Sequence, residues 1–101
     1  MMIRHVVLFK LAATDDAERA EQVETIARGL RSLPASIPEI LRMEVGANVL
    51  HPGANFDLVL IADYEDADAL ARYQVHPDHK VVASYIQSVV ADRSAVDFEV
   101  R

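Results

Sequence analysis

The chain of 101 residues contains no cysteine and no tryptophan, and only three glycines. Without cysteine it can form neither a disulfide framework nor a thiolate metal site, which excludes the bridge-dependent class of small secreted proteins. Acidic residues outnumber basic ones by 16 to 10, and the net charge of −6 leaves no basic stripe to neutralise nucleic-acid phosphates or an anionic membrane. The apolar stretch from Met1 to Leu11 carries three basic residues and is too short for a signal peptide or a membrane span. We therefore expect a cytoplasmic protein with no nucleic-acid partner and no membrane partner.

A hydrophobic share of 51% is ample for a core, and the length fits one small domain spanning residues 1–101. The sequence has no internal repeat, linker or low-complexity tract. A domain of this size buries a modest fraction of its surface, so a partner subunit would add stability.

Hydrophobic periodicity predicts four strands and two helical regions. The predicted strands are Met2 to Leu11, Leu41 to Val45, Phe56 to Tyr64 and Val96 to Val100. The first helix begins at the Asp15 cap and ends near Ser32, and the second helical region is broken into Glu65 to Val75 and Pro77 to Ala91, before a turn at Asp92 to Ser94. The order βαββαβ predicts an α+β, ferredoxin-like fold with a four-stranded antiparallel sheet and both helices on one of its faces.

The other face of that sheet is predicted to be apolar at its centre, at Val6, Leu8, Val59 and Ile61. A contiguous apolar patch with a polar rim is typical of an association surface. We expect a homodimer in which two sheets pack face to face.

Three polar side chains are predicted to point into the apolar layer between sheet and helices. His5 alternates with apolar neighbours on the first strand, Tyr73 lies on the inner face of the first half of the broken helix, and His79 lies on the buried stripe of the second half. Buried polar groups need partners, so these three either satisfy one another or line a cavity. We predict a small-molecule pocket, whose apolar wall is formed by Val7, Phe9, Leu60, Tyr85 and Ile86.

The position of His79 favours a neutral imidazole. Pro77 suits the first position of a helix, which places His79 in the first turn, near the positive end of the helix dipole. Burial and that dipole both disfavour the imidazolium. A neutral histidine at pH 7 is the form that a general base requires.

Three segments resemble the stress-responsive A/B barrel domain family, often called Dabb. They are the opening strand Met2-Ile-Arg-His-Val-Val-Leu-Phe-Lys-Leu11, the motif Tyr73-Gln-Val-His-Pro-Asp-His79 and the closing strand Ser94-Ala-Val-Asp-Phe-Glu-Val100. The resemblance implies a dimeric α/β barrel of ferredoxin-like subunits. Plant relatives include polyketide cyclases that close a linear poly-β-ketone by aldol chemistry. By position, the resemblance implies His79 as the base, assisted by His5 and Tyr73, in a lyase or cyclase that needs no cofactor and takes a small apolar carbonyl ligand.

Other interpretations stay open at this point. The protein could be a non-catalytic structural or stress-protective homodimer, in which His5, Tyr73 and His79 form a closed hydrogen-bond set. A cofactor-free monooxygenase is an alternative by analogy of fold. A metal site at His76 and His79 is disfavoured, because Pro77 separates them and no third ligand is close in sequence.

Overall fold

A computed structural model describes all 101 residues and gives the fold as four strands, three α-helices and a short 3-10 helix. The elements in chain order are β1 (Met2–Leu11), α1 (Asp16–Ser32), the 3-10 helix (Leu33–Ala35), β2 (Arg42–Ala47), β3 (Leu58–Tyr64), α2 (Ala67–Val75), α3 (Pro77–Val89) and β4 (Val90–Val100). The strands pair antiparallel in the order β2-β3-β1-β4. The predicted ferredoxin-like fold is thereby confirmed.

Side-chain caps fix where each α-helix begins. Asp15 accepts a hydrogen bond from the backbone N–H of Glu18 (2.9 Å), and Asp66 caps α2 in the same way. His76 has an extended backbone that ends α2, and its Nδ1 accepts from the N–H of Asp78 (3.1 Å) at the start of α3. These acceptors satisfy N–H groups that have no partner within the helix. The break at His76 therefore turns the chain between the two helices and places the first turn of α3 over the sheet.

The core lies between the three helices and one face of the sheet. Alternate residues of β1 are buried there because side chains in a strand point to opposite faces in turn. Tyr64 at the end of β3 and Tyr73 on α2 are among the largest fully buried side chains. No helix is both long enough and apolar enough to cross a membrane.

The opposite face of the sheet carries an apolar band that no helix covers. Val6 on β1 pairs with Ile61 on one side and Val96 on the other, so three strands contribute to the band. Phe98 extends it along β4, and Leu8, Val96 and Phe98 are 39%, 62% and 44% exposed. We call the set Val6, Leu8, Val59, Ile61, Val96 and Phe98 the bare sheet face.

An ion pair borders the bare sheet face. Arg4 Nε and Nη2 donate to the two carboxylate oxygens of Asp63 at 2.8 and 3.0 Å, a bidentate pair across β1 and β3. This hydrogen bonding to Arg4 holds the pKa of Asp63 below its usual value, against the opposing effect of burial. The carboxylate at the border of the bare sheet face is therefore paired with a positive charge of the same chain.

The predicted turn at Asp92–Ser94 is wrong. These residues belong to β4, which follows α3 directly at Val90 and pairs with β1 over its whole length, from Met2 to Leu11. The polar composition that resembled a turn is that of an exposed edge strand, where charged residues are common because one side has no pairing partner.

Candidate functional site

A cavity of about 320 Å³ lies between the sheet and the helices α1, α2 and α3, and the structure places His5, Tyr73 and His79 on its wall. Three further polar side chains, Gln74, Gln87 and Arg93, line the same cavity, and all three belong to exposed residues. The three buried or half-buried groups therefore lie deeper, and the exposed ones form the mouth.

The rest of the wall is apolar. Of the five residues predicted for it, Val7, Phe9, Leu60 and Ile86 line the cavity, and Tyr85 does not. Successive residues of a helix are rotated by about 100° around its axis, so Tyr85 points away from the side that Ile86 presents. Tyr85 instead packs, half-buried, against the edge of the core.

His5 is held by a carboxylate of the neighbouring strand. The register of β1 and β4 sets Asp97 opposite His5, and His5 Nδ1 is hydrogen-bonded to the Asp97 carboxylate. His5 is 4% exposed, whereas the Asp97 side chain is about half exposed. With Nδ1 engaged, Nε2 of His5 has no hydrogen-bond partner within the chain.

His79 is held from the preceding helix. Its Nδ1 lies 3.1 Å from the backbone carbonyl oxygen of Gln74, so in the neutral ring Nδ1–H donates and Nε2 carries the lone pair. Burial lowers the pKa of His79, and the positive charge of Arg93 acts in the same direction, whereas the hydrogen bond to Gln74 opposes both. The geometry and the lowered pKa together favour the neutral form with Nε2 as an acceptor.

The Tyr73 hydroxyl is buried and has no hydrogen-bond partner. Its ring lies 4.4 Å from the His79 ring and 5.1 Å from the Tyr64 ring, between centroids. Burial raises the pKa of Tyr73 to about 12, so the hydroxyl stays protonated at neutral pH. The Tyr64 hydroxyl is also buried and also has no hydrogen-bond partner. The two phenols are close enough for Tyr73 to raise the pKa of Tyr64, yet no hydrogen bond of normal geometry joins them.

His5, Tyr73 and His79 do not satisfy one another. His5 is bonded to Asp97, His79 to the Gln74 carbonyl, and Tyr73 to nothing. A buried hydroxyl without a partner costs free energy, and in native structures an ordered water commonly satisfies such a group. This arrangement differs from the closed hydrogen-bond set of the structural interpretation.

The remaining two histidines lie outside the cavity. His76 caps α3, and His51 is exposed in the β2–β3 connection, where its φ of 50° is unusual for a residue other than glycine. No group of three or more His, Cys, Asp or Glu side chains is placed to hold a metal ion.

A larger hollow, of about 500 Å³, lies on the other side of the sheet. It is lined by residues such as Leu8, Asn48, Phe56 and Val59, and it contains no ionisable side chain. Two of its lining residues, Leu8 and Val59, belong to the bare sheet face, so the hollow adjoins that face.

One site residue could have been found from the sequence, and two could not. The alternation of Val96 and Phe98 with Asp97 indicates only that Asp97 lies on the other face of β4 from the two apolar residues. It is the pairing register, which sets Asp97 opposite His5, that puts Asp97 on the helix side of the sheet. Tyr64 closes the alternation of β3 on the helix side. Arg93 is not found from the sequence, because the polar composition of its segment predicts a turn.

Comparisons with known proteins agree with this fold. A family model described as the stress responsive A/B barrel domain matches residues 3–100. DABB1 of Arabidopsis thaliana, a stress-response A/B barrel domain-containing protein, is 29% identical over 100 residues, which cover 96% of this chain and 46% of that protein. The chain thus spans about half the length of that relative.

Two solved structures are similar over nearly their whole length. A dimeric ferredoxin-like protein of unknown function from Thermobifida fusca is 38% identical, with a TM-score of 0.82 and coverage of 99% of this chain and 92% of that one. A dimeric protein of ferredoxin-like fold and unknown function from Bacteroides fragilis is 29% identical, with a TM-score of 0.89 and coverage of 98% and 96%.

More distant structures share the fold alone. They include SnoaB, a cofactor-independent oxygenase of Streptomyces nogalater, with 18% identity, a TM-score of 0.74 and coverage of 99% of this chain and 93% of that one. A hydroxynitrile lyase of Passiflora edulis has 10% identity, a TM-score of 0.74 and coverage of 99% and 94%.

Proposed function

The chain belongs to the stress-responsive A/B barrel domain (Dabb) family, and from that premise we propose that its cavity binds a small carbonyl compound and that His79 acts on it as a general base. The observation that carries this proposal is the wall of the cavity. Two imidazoles and a phenol share one apolar chamber of about 320 Å³, and none of them is hydrogen-bonded to another.

The proposed step is removal of a proton from the carbon next to the carbonyl. The proton moves to Nε2 of His79, the C–H electron pair becomes the C=C bond of an enolate, and the carbonyl π electrons move to oxygen. The lowered pKa of His79 keeps Nε2 unprotonated near neutral pH, which is the state that a base must have before the step. Throughout the step, Nδ1–H of His79 donates its hydrogen bond to the Gln74 carbonyl oxygen, which keeps the imidazole ring in place.

The enolate oxygen needs a hydrogen-bond donor. The Tyr73 hydroxyl, with its raised pKa and no partner in the chain, is a donor whose hydrogen is not otherwise used. His5, whose Nε2 has no partner in the chain, is a second polar side chain on the same wall. Donors that are already in place when charge develops lower the barrier because they need no reorganisation.

The enolate carbon so formed can attack a second carbonyl in the same molecule, which is an aldol ring closure: the new C–C bond forms as the C=O π bond breaks, and the resulting alkoxide takes the proton back from Nε2 of His79. Alternatively, the enolate carbon itself takes that proton back. Neither outcome changes the oxidation state, so the step requires no cofactor. Fold likeness to a cofactor-independent oxygenase and to a hydroxynitrile lyase supports the capacity of this architecture for such chemistry, although function has to be argued from the site itself.

The test is deuterium exchange at the acidic carbon of ethyl benzoylacetate, followed by NMR with and without the protein. The wild-type chain should accelerate exchange. In His79→Gln that acceleration should be smaller by a factor of about a hundred or more, as is typical for loss of a general base. His51→Asn is the matched control, because it removes an exposed histidine outside the cavity.

Equal exchange rates with the wild type and with His79→Gln would show that His79 is not the base. If, in addition, no carbonyl ligand raised the melting temperature, the non-catalytic stress-protective interpretation would replace this one, since a ligand that binds the folded state must stabilise it.

The association state is part of the proposal. We propose that two copies pack through the bare sheet face, in line with the dimeric state in which the Thermobifida and Bacteroides proteins are described. The exposed Val96 and Phe98 side chains and the adjoining hollow give this face the apolar area that such an interface needs. Light scattering of the purified chain should return twice the mass of the protomer.

A further inference from the structure

The mouth of the cavity contains an arginine that has no partner in the chain. Arg93 lines the cavity, yet its guanidinium takes part in no ion pair and no side-chain hydrogen bond; only its backbone N–H is bonded, to Asp92. By contrast, Arg4, Arg42 and Arg72 each contact a carboxylate. An arginine left free at a cavity mouth offers five donors in a fixed fork.

No acidic side chain lines this cavity. Asp92 is the sequence neighbour of Arg93, so its side chain leaves the strand on the other face, and it accepts the backbone N–H of Arg93. Asp97 lies four residues further along β4, roughly 13 Å of strand, and is bonded to His5. Arg93 is therefore the only lysine, arginine, aspartate or glutamate among the residues that line the cavity, in a chain whose net charge is −6.

We propose that the ligand is a small oxo acid, whose carboxylate binds Arg93 at the mouth while its ketone lies beside Tyr73 and His79. This inference rests on the proposed function and adds the charge of the ligand to it. A guanidinium binds a carboxylate through two parallel hydrogen bonds, which fixes orientation as well as affinity. The ketone end of the ligand would then point inward, toward the buried hydroxyl and the neutral imidazole.

The size of the cavity limits the ligand. A volume of about 320 Å³ equals roughly ten water molecules at their share of liquid volume. An oxo acid of about a dozen non-hydrogen atoms, with an apolar group against Phe9 and Leu60, matches this space and this wall.

A matched pair of probes isolates the charge. The stable oxo acid 3-benzoylpropanoate and its methyl ester share one ketone and one phenyl ring, and only the acid is an anion. Dissociation constants are measured by NMR titration for the wild type, for Arg93→Gln and for Arg28→Gln, which removes another exposed arginine without a partner, on α1 and outside the cavity. Circular dichroism checks that each variant is folded.

The wild type should bind the acid about 10- to 100-fold more tightly than the ester, as expected for hydrogen bonds to charged groups. Arg93→Gln should abolish that preference because it weakens binding of the acid far more than binding of the ester, and Arg28→Gln should keep the preference. Added salt should weaken binding of the acid and not of the ester.

Equal affinities for acid and ester in the wild type would overturn the inference and leave the proposed function intact. A preference that survives Arg93→Gln would overturn the assignment to Arg93. Failure of both probes to bind would count against the proposed function and the inference together.

Discussion

At the scale of single residues, the cavity depends on polar groups that are buried without being satisfied by the protein. Such groups lower the stability of the free protein, and this cost is recovered only when a ligand or a water molecule supplies the missing hydrogen bond. This distinguishes a binding wall from a structural network, in which the same residues would stabilise the fold. The two tyrosines of the site permit a direct comparison of these roles.

Removing the Tyr73 hydroxyl should not destabilise the protein. Because that oxygen is buried with no partner, Tyr73→Phe should leave the free energy of unfolding unchanged or raise it by about 1 kcal/mol, as measured by urea denaturation. The same variant should weaken binding of a carbonyl ligand. Tyr64→Phe is the matched control, because its hydroxyl is also buried without a partner but does not line the cavity. A loss of several kcal/mol in Tyr73→Phe would instead indicate a structural network.

The lowered pKa of His79 should appear in the pH dependence of stability. In the unfolded chain the ordinary value of 6.5 applies, so just below pH 6.5 the unfolded state binds more protons than the folded state. The unfolding free energy should therefore fall as the pH is lowered from about 6.5 toward the folded-state pKa of His79. Asp63 and Glu39, whose pKa values are lowered from 3.8 and 4.5, lose their stabilising effect only at more acidic pH.

In thermal melts between about pH 5 and 7, this decline should be smaller in His79→Gln than in the wild type. His51→Asn, which changes an exposed histidine, should keep the wild-type slope. Equal slopes in all three proteins would show that His79 titrates normally in the folded state.

At the scale of secondary-structure elements, the sequence predicted the strands better than their junctions. The βαββαβ order, the break at Pro77 and the alternation of β1 follow from local patterns, and those patterns also assign His5, Tyr73 and His79 to the helix side of the sheet. The direct passage from α3 into β4 could not be predicted from the sequence of that segment alone, because it depends on the length of β1 and on the pairing of β1 with Val90 to Val100. The prediction that Tyr85 lines the cavity is wrong because successive residues of a helix point to different sides, and it is Ile86 that points to the cavity.

Gly29 shows a second limit of local patterns. A glycine inside α1 is unfavourable by helix propensity alone. The structure explains it through a neighbouring helix: a Cβ added at Gly29 would lie 3.3 Å from Cγ1 of Val82 on α3, closer than side chains normally approach. The residue thus sets how closely the two helices pack.

The Gly29 contact can be tested with a double-mutant cycle. Gly29→Ala alone should be nearly neutral, because the gain in helix propensity of about 1 kcal/mol is offset by the crowding of Val82. In a Val82→Ala background the same change should stabilise the protein by about 1 kcal/mol, measured by urea denaturation. If Gly29→Ala stabilised both backgrounds equally, the close approach of α1 and α3 would not explain the glycine.

At the scale of the whole molecule, the sheet separates two surfaces with different properties. The helix side contains the polar cavity, and the bare sheet face contains apolar groups together with an ion pair that is satisfied within the chain. Pairing two copies through the bare sheet face would cover the apolar band. The mouth of the cavity, formed on the helix side by exposed residues of α2, α3 and β4, would keep its composition.

Charge placed on the bare sheet face should therefore dissociate the pair without unfolding the protomer. Val96 is 62% exposed in the protomer, so Val96→Lys costs little there, but in an isologous interface it would bring two unpaired ammonium groups into an apolar layer. The dissociation constant of the dimer should rise by about a hundredfold or more. Val81→Lys is the control, because Val81 is 73% exposed on α3, away from that face. Sedimentation should then give a protomer for Val96→Lys and a dimer for Val81→Lys, both with the circular dichroism of the wild type; a dimer in both cases would place the interface on another surface.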